Sequence, residues 1–440
     1  MKRMCILCCL LLLLIGCGPK GGTDGQIAYI PTETAKAGGT LSPLSTEGRR
    51  PTAAPLFTPE PTAVPTAMPT DTPAPTDTPA PTPVPTPSPV PQEVKLRQFV
   101  SSMTDREKIG QLVMFGFSGT QTVSSEFAKI MADYAVGNVI LYGANISRGD
   151  KDGGFDRCVK LTDNIRAHTG TDIPPLISID VEGGNVNRFR WREKLLSAQN
   201  LGKKNDEATA RSQFQYIAGA LKDVGINVDL APVLDVAKDP SKTFMGSRII
   251  SSHAETAASI GCACVEGLQA GGCLSVVKHF PGHGATSADS HDITPVVRKE
   301  LEALRAYEFY PFQQAVAAGV DGIMMAHILY PAIDPEHIAS QSKIIMTDIL
   351  RDEYGFTGVI VADDFRMKGL RSAVSLEQAG VQFILAGGDL ILCGANHVYQ
   401  RSILKGLTEA VESGVIPQER LDESVIRILT AKMKVTNWVP

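Results

Sequence analysis

Beyond Val94 the chain alternates two patterns: short, nearly continuous apolar runs, and longer amphipathic stretches with helical spacing. Thr104-Asp105-Arg106-Glu107 reads as a capping box that opens a helix, and Gln111-Leu112-Val113-Met114-Phe115-Gly116-Phe117 then runs into a first strand. Seven further apolar runs start at Val136 (VGNVILYG), Pro175 (PLISID), Ile226 (INVDLAPVLDV), Leu274 (LSVVKHF), Asp321 (DGIMMAH), Gly358 (GVIVADD) and Asp389 (DLILCG). Apolar strands alternating with helices imply a parallel sheet covered on both faces, and eight such units predict a closed (β/α)8 TIM barrel. A doubly wound open sheet is the rival. The count of eight, and the lack of a G-x-G-x-x-G turn after the first strand, favour the barrel.

Polar residues gather at the C-terminal ends of these runs. Asp180 ends the third, Asp235 the fourth, Lys278 and His279 the fifth, His327 the sixth, and Asp363 with Asp364 the seventh. In a barrel these ends converge on one mouth, where active sites are built. The densest stretch is Lys278-His279-Phe280-Pro281-Gly282-His283-Gly284, followed by Ala288-Asp289-Ser290-His291. A metal site would use His279 and His283 as an i, i+4 pair, but Pro281-Gly282 between them prevents the helix such a pair requires. Acid/base work on a loop is the better reading. In an extended segment residues two apart point the same way, so Asp289 can reach His291 and favour its protonated form. Asp363 closes a run of Val, Ile and Ala, where a carboxylate is costly unless hydrogen-bonded or put to use. A carboxylate across a barrel mouth from a proton donor suits covalent glycoside cleavage.

Composition changes the picture at the N-terminus. The chain has 440 residues, but about ninety at the start cannot form a core. Residues 1–17 (MKRMCILCCLLLLLIGC) read as an export signal: two early positive charges, then an apolar run too short to span a membrane. Leu14-Ile15-Gly16-Cys17 resembles a bacterial lipobox, which makes Cys17 the expected lipidation site and holds the protein at the outer face of a cell membrane without spanning it. Residues 18–93 read as a disordered linker. Its stretch from 51 to 91 contains 15 prolines in 41 residues, a semi-rigid stalk of about 120 Å if fully polyproline II. The remaining 94–440 form the catalytic barrel. A net charge of -5 without a long Lys/Arg run excludes a nucleic-acid partner. Cys158, Cys262, Cys264, Cys273 and Cys393 are too scattered for a disulfide framework, and the Cys262-x-Cys264 pair reads as small core residues.

KHFPGHG followed by A-D-S-H, with IDVEGGNVNRFR upstream and VIVADDFRM downstream, resembles glycoside hydrolase family 3, in its NagZ-type β-N-acetylglucosaminidase branch. The likeness runs from MTDREKIGQL at Met103 to RLDESVIRIL from Arg420. It implies that Asp363 is the catalytic nucleophile and Asp364 structural, that His291 is the acid/base and Asp289 its dyad partner. It also implies that Asp180, Arg188, Lys278 and His279 bind sugar hydroxyls and that Arg248 holds the sugar and its N-acetyl side. D-V-E-G-G-N-V-N-R stands where the family more often has D-Q-E-G-G-R-V-Q-R, and G-S-R where G-D-R or G-E-R is common. The chain ends soon after the last barrel helix, which leaves no room for the larger second domain of many family members. The expected function is a retaining exo-β-N-acetylglucosaminidase acting on GlcNAc-containing glycans or muropeptides of peptidoglycan. No metal, organic cofactor or obligate protein partner is implied, and the membrane is met through the lipid anchor only. A phosphorylase on the same scaffold, or a wall-binding lipoprotein without turnover, are the alternatives.

Overall fold

The computed structural model describes residues 91–440. The expected export signal, Cys17 and the Pro/Thr-rich stretch through residue 90 lie outside the described residues. The described chain opens on the helix Gln92–Ser102. The helix Asp105–Gln111 follows, its capping box formed as expected: Glu107 N–H donates to Thr104 Oγ1 at 3.3 Å, and Thr104 N–H donates back to Glu107 Oε2 at 2.8 Å.

Ten strands follow in chain order: β1 (Val113–Gly116), β2 (Asn138–Leu141), β3 (Leu176–Ile179), β4 (Val228–Asp229), β5 (Leu274–Phe280), β6 (Gly322–Met325), β7 (Leu329–Tyr330), β8 (Asp334–Ile338), β9 (Val359–Ala362) and β10 (Ile391–Cys393). Eight of them form one parallel sheet in the order β10-β1-β2-β3-β4-β5-β6-β9. A parallel bridge between Val361 and Leu390 joins its two ends, so the sheet curls into the (β/α)8 TIM barrel that the eight apolar runs predict. Every residue of β1, β2, β3, β6, β9 and β10 is buried, because helices cover the outside and side chains fill the inside. Cys158, Cys264, Cys273 and Cys393 are buried free thiols in this core, and Cys262 packs half-buried against it.

Two features were not legible in the apolar pattern. β7 and β8 form an antiparallel hairpin inserted between β6 and β9, outside the barrel order. The fourth run, read as one strand reaching Asp235, forms only two strand residues. Pro232 cannot donate to the ladder, and beyond it the chain rejoins β5 irregularly, where Leu234 N–H donates to Lys278 O at 2.8 Å.

Candidate active site

The segment leaving β3 carries Asp180 and Glu182. Gly183 (φ 77°) and Gly184 (φ 58°) then take left-handed conformations that turn the chain back, and Glu182 N–H donates to Val186 O at 2.9 Å across the turn. A Cβ at Gly183 would stand 2.3 Å from Leu196 O, so the turn admits no side chain there. The fold-back brings Arg188 to Asp180, with Nη2 donating to Oδ2 at 3.0 Å.

Along β5 the pairing register with β6 skips a residue between Lys278 and Phe280. In a regular strand neighbours face opposite sides, but at this bulge both Lys278 and His279 reach the barrel mouth. Lys278 Nζ donates to Asp180 Oδ1 at 2.7 Å and lies 2.8 Å from Glu182 Oε1. Arg248 grips the same Glu182 in a fork, Nε to Oε2 and Nη2 to Oε1, each at 2.8 Å. Burial works against the charges of Asp180 and Glu182, yet the Lys278, Arg188 and Arg248 cations hold both carboxyls below their usual range. The same two carboxylates raise Lys278 against its burial. The set is therefore an interlocked chain of five charges. His279 Nδ1–H donates to Asp235 Oδ2 at 2.7 Å, which leaves Nε2 as the ring atom free for a ligand.

At the end of β9, Asp363 Oδ1 accepts the Asp364 N–H at 2.8 Å, and Asp363 O lies 3.2 Å from His327 Nε2. A carbonyl only accepts, so His327 carries its proton on Nε2 and Nδ1 accepts from Ser340 Oγ at 2.7 Å. Burial opposes the Asp363 charge, but His279, His327 and the Asp364 N–H together hold its carboxyl below the usual range. Asp364 beside it is fully engaged. It accepts from Tyr142 Oη at 2.8 Å, from Arg366 Nη2 at 2.7 Å and from Gly394 N–H at 3.2 Å, while the Arg366 guanidinium lies 5.2 Å above the Tyr142 ring.

Asp289 and His291 lie on the loop after β5. Their pairing is present, with His291 Nδ1–H donating to Asp289 Oδ1 at 2.7 Å, but the extended geometry expected for it is not. The segment is a turn. Asp289 O accepts from Asp292 N–H at 3.1 Å and Asp289 Oδ1 also takes the His291 N–H at 2.9 Å, so the carboxylate caps the turn that carries its partner. Pro281-Gly282 form a turn, and the rings of His279 and His283 stand 5.7 Å apart at 76°, one tied to Asp235 and the other to Ser290.

Asp180, Arg188, Arg248, Lys278, His279, His291 and Asp363 all line one pocket of about 420 Å³ at the barrel mouth. Asp289 stands behind His291. Four carboxylates reach this wall: Asp180, Glu182, Asp363 and Asp364. Among the described residues, Asp363 alone of the four has no ion pair. Glu182, Tyr142 and Arg366 are site residues the sequence reading passed over. Glu182 had a signal, since it lies two residues after Asp180, and a buried Lys278 needs more than one counter-charge. Tyr142 had none, because its bond to Asp364 is made across the barrel, whereas Arg366 stands only two residues after Asp364 in the chain.

Paired cations and carboxylates at hydroxyl-binding spacing, next to an uncommitted carboxylate and an exposed imidazole, define a barrel enzyme of the glycoside-cleaving class. Residues 104–431 match the glycosyl hydrolase family 3 N-terminal domain, and the chain belongs to that family of glycoside hydrolases. It is similar to a β-hexosaminidase of Idiomarina loihiensis, 35% identical over 286 residues that cover 64% of this chain and 82% of that one. Among solved structures it resembles a glycoside hydrolase family 3 β-N-acetylglucosaminidase from Paenibacillus sp. str. FPU-7, with a TM-score of 0.72 and 36% identity over 76% of this chain and 63% of that one. A β-N-acetylhexosaminidase from Beutenbergia cavernae superposes with a TM-score of 0.68 at 28% identity, over 76% of this chain and 99% of the other.

Proposed function

We propose that the protein is a β-N-acetylhexosaminidase, and within that class a retaining exo-β-N-acetylglucosaminidase that removes non-reducing terminal GlcNAc from peptidoglycan fragments. The observation that carries this reading is the unpaired, ionised Asp363 on the wall that also holds His291. Asp363 attacks the anomeric carbon while His291 Nε2 protonates the leaving oxygen, and the bond to that oxygen breaks as the bond to the carboxylate forms. Asp289 fixes Nδ1–H of His291, so Nε2 is the atom that trades protons. In the second half His291 takes a proton from water, and the water displaces Asp363 with net retention. The Asp180, Arg188, Lys278, Glu182 and Arg248 array supplies fixed donors and acceptors for ring hydroxyls and the acetamido group. A pocket of about 420 Å³ suits one terminal sugar rather than the middle of a chain. The hexosaminidase relatives support the GlcNAc preference.

The decisive test is nitrophenol release from an aryl β-N-acetylglucosaminide by the 94–440 fragment, with Asp363→Ala as its blank. Turnover in the parent alone is expected; none in a folded parent overturns the reading. Location is part of the same proposal, with Cys17 as the lipid-bearing residue. Partition into a detergent phase should be lost in Cys17→Ser.

A further inference from the structure

The loop from Pro281 to Val297, which carries the Asp289–His291 pair, is held at both ends by the inserted hairpin. Near its start Tyr330 Oη donates to Gly282 O at 2.9 Å, and near its end Leu329 N–H donates to Pro295 O and Val297 N–H to Leu329 O, each at 2.9 Å. Between these anchors residues 285–294 are for the most part partly or fully exposed, and the His291 side chain is 65% exposed. Ser290 is the exception. From 285 to 294 it alone is buried, at 1% exposure, although it lies directly between the two residues of the pair.

What buries Ser290 is specific. Its Oγ lies 2.7 Å from His283 Nε2, and its carbonyl accepts the Gly369 N–H at 3.0 Å. A Cβ at Gly369 would stand 2.9 Å from Ser290 O and 3.1 Å from Ile293 O, so the loop rests directly on backbone at that point. His283 is itself buried at 1% exposure, edge-on to Phe244 with centroids 4.6 Å apart, and its backbone N–H donates to Asp235 Oδ1 at 2.6 Å. Its Nδ1 is buried without a partner, so the bond to Ser290 is the single hydrogen bond its ring makes among the described residues. Burial drives the His283 imidazole down to about 4, so the ring is neutral at pH 7. Proton transfer by this ring is therefore not its use. Asp235 links the two ends of the arrangement, since it holds His279 on the sugar side and His283 under the loop.

We propose that His283 and Ser290 form a pin that sets the position of the Asp289–His291 turn over the pocket, so that both are positioning residues for proton transfer to the leaving group. The proposal rests on the acid/base reading of His291. Releasing the pin frees the turn between its hairpin anchors. The nucleophile and the sugar-binding array stay in place, because Lys278 and His279 stand on β5, Asp180 and Asp363 directly follow β3 and β9, and Arg188 and Arg248 stand on the segments after β3 and β4, none of them on this loop. The loss therefore falls on protonation alone.

The test compares chitobiose, whose sugar leaving group needs a proton, with a dinitrophenyl β-N-acetylglucosaminide, which does not. Ser290→Ala should lower kcat/KM on chitobiose by at least about tenfold and on the activated substrate by less than about threefold. Ser290→Thr keeps the hydroxyl and should restore most of the loss. The double variant His283→Gln with Ser290→Ala should be no worse than the poorer single variant, since both remove one bond. Equal losses on the two substrates, no loss on either, or additive losses in the double variant would overturn the pin. His291→Ala runs alongside. If it too loses equally on both substrates, the acid/base reading has failed; if it is selective and Ser290→Ala is not, the pin alone has failed.

Discussion

The two walls of the pocket are built on opposite plans. The wall proposed to bind the sugar is an interlocked set of charges from β5 and from the segments that follow β3 and β4, with Lys278 at 3% side-chain exposure between Asp180 and Glu182. The wall proposed for acid/base work is one exposed turn, with a local Asp–His pair and the His283–Ser290 hydrogen bond beneath it. Both bring ionic pairs to the same substrate, yet only the first ties its charges into the core of the fold. A hydroxyl array must be preorganised before the substrate arrives, and fixed dipoles in a buried site do this without reorganising. A proton donor must meet a leaving group that departs with each turnover, and a turn on a loop can do so.

Four outcomes sharpen or break this contrast. The largest concerns the residue between the two walls: Asp363→Ala should cut turnover by roughly 10⁴-fold or more on every substrate, measured as aryl glycoside release. A modest, substrate-dependent loss would mean that the uncommitted carboxylate is not the attacking group. His291→Ala should cost about 10²- to 10⁴-fold on substrates with poor leaving groups and far less on activated aryl glycosides. Equal losses would place His291 among the binding residues and erase the difference between the walls. Lys278→Met leaves Asp180 and Glu182 close together without their shared cation, and should destabilise the folded chain by about 3–5 kcal/mol in urea unfolding. His291→Ala, on the exposed turn, should barely move the same midpoint; a similar shift in both variants would refute the core-versus-loop distinction.

The smallest effect is a pH slope. His283 titrates at about 4 in the folded chain against an ordinary 6.5, because it is buried and faces His279, with Asp235 and Asp363 opposing the shift only in part. The unfolded chain therefore binds a proton that the folded one refuses. The contribution is fully present above pH 6.5 and is lost as pH falls towards 4, up to about 3 kcal/mol. Unfolding midpoints across that window should fall less steeply in His283→Gln than in the parent. An unchanged slope would show that His283 does not contribute to acid stability.

The sequence made some parts of this site more visible than others. Most barrel strands announced themselves, because a strand buried on both faces is largely apolar, and charged chemistry at its end then stands out. Asp180, Lys278, His279 and Asp363 were visible for that reason. Asp289 and His291 were visible as neighbours in the chain, although the turn that joins them was mistaken for an extended segment, since a side chain capping its own backbone leaves no periodic trace. The β7–β8 hairpin escaped notice because β7 has only two residues and β8 (Asp334–Ile338) is a polar segment with three exposed residues between buried ends, which shows no alternation.

The local pattern by itself determined the barrel, its eight strands and the set of polar residues offered at one rim, because burial on two faces and helix capping act over a few neighbouring residues. Only the tertiary structure decided which of those residues are committed to one another. Tyr142 and Arg366 occupy Asp364 and leave Asp363 free; Glu182 completes the cage around Lys278; His283 reaches Ser290 beneath the loop. The Tyr142–Asp364 and Glu182–Lys278 contacts join groups far apart in the chain, and the shorter-range Arg366–Asp364 and His283–Ser290 pairs depend on how the chain turns beyond each strand end.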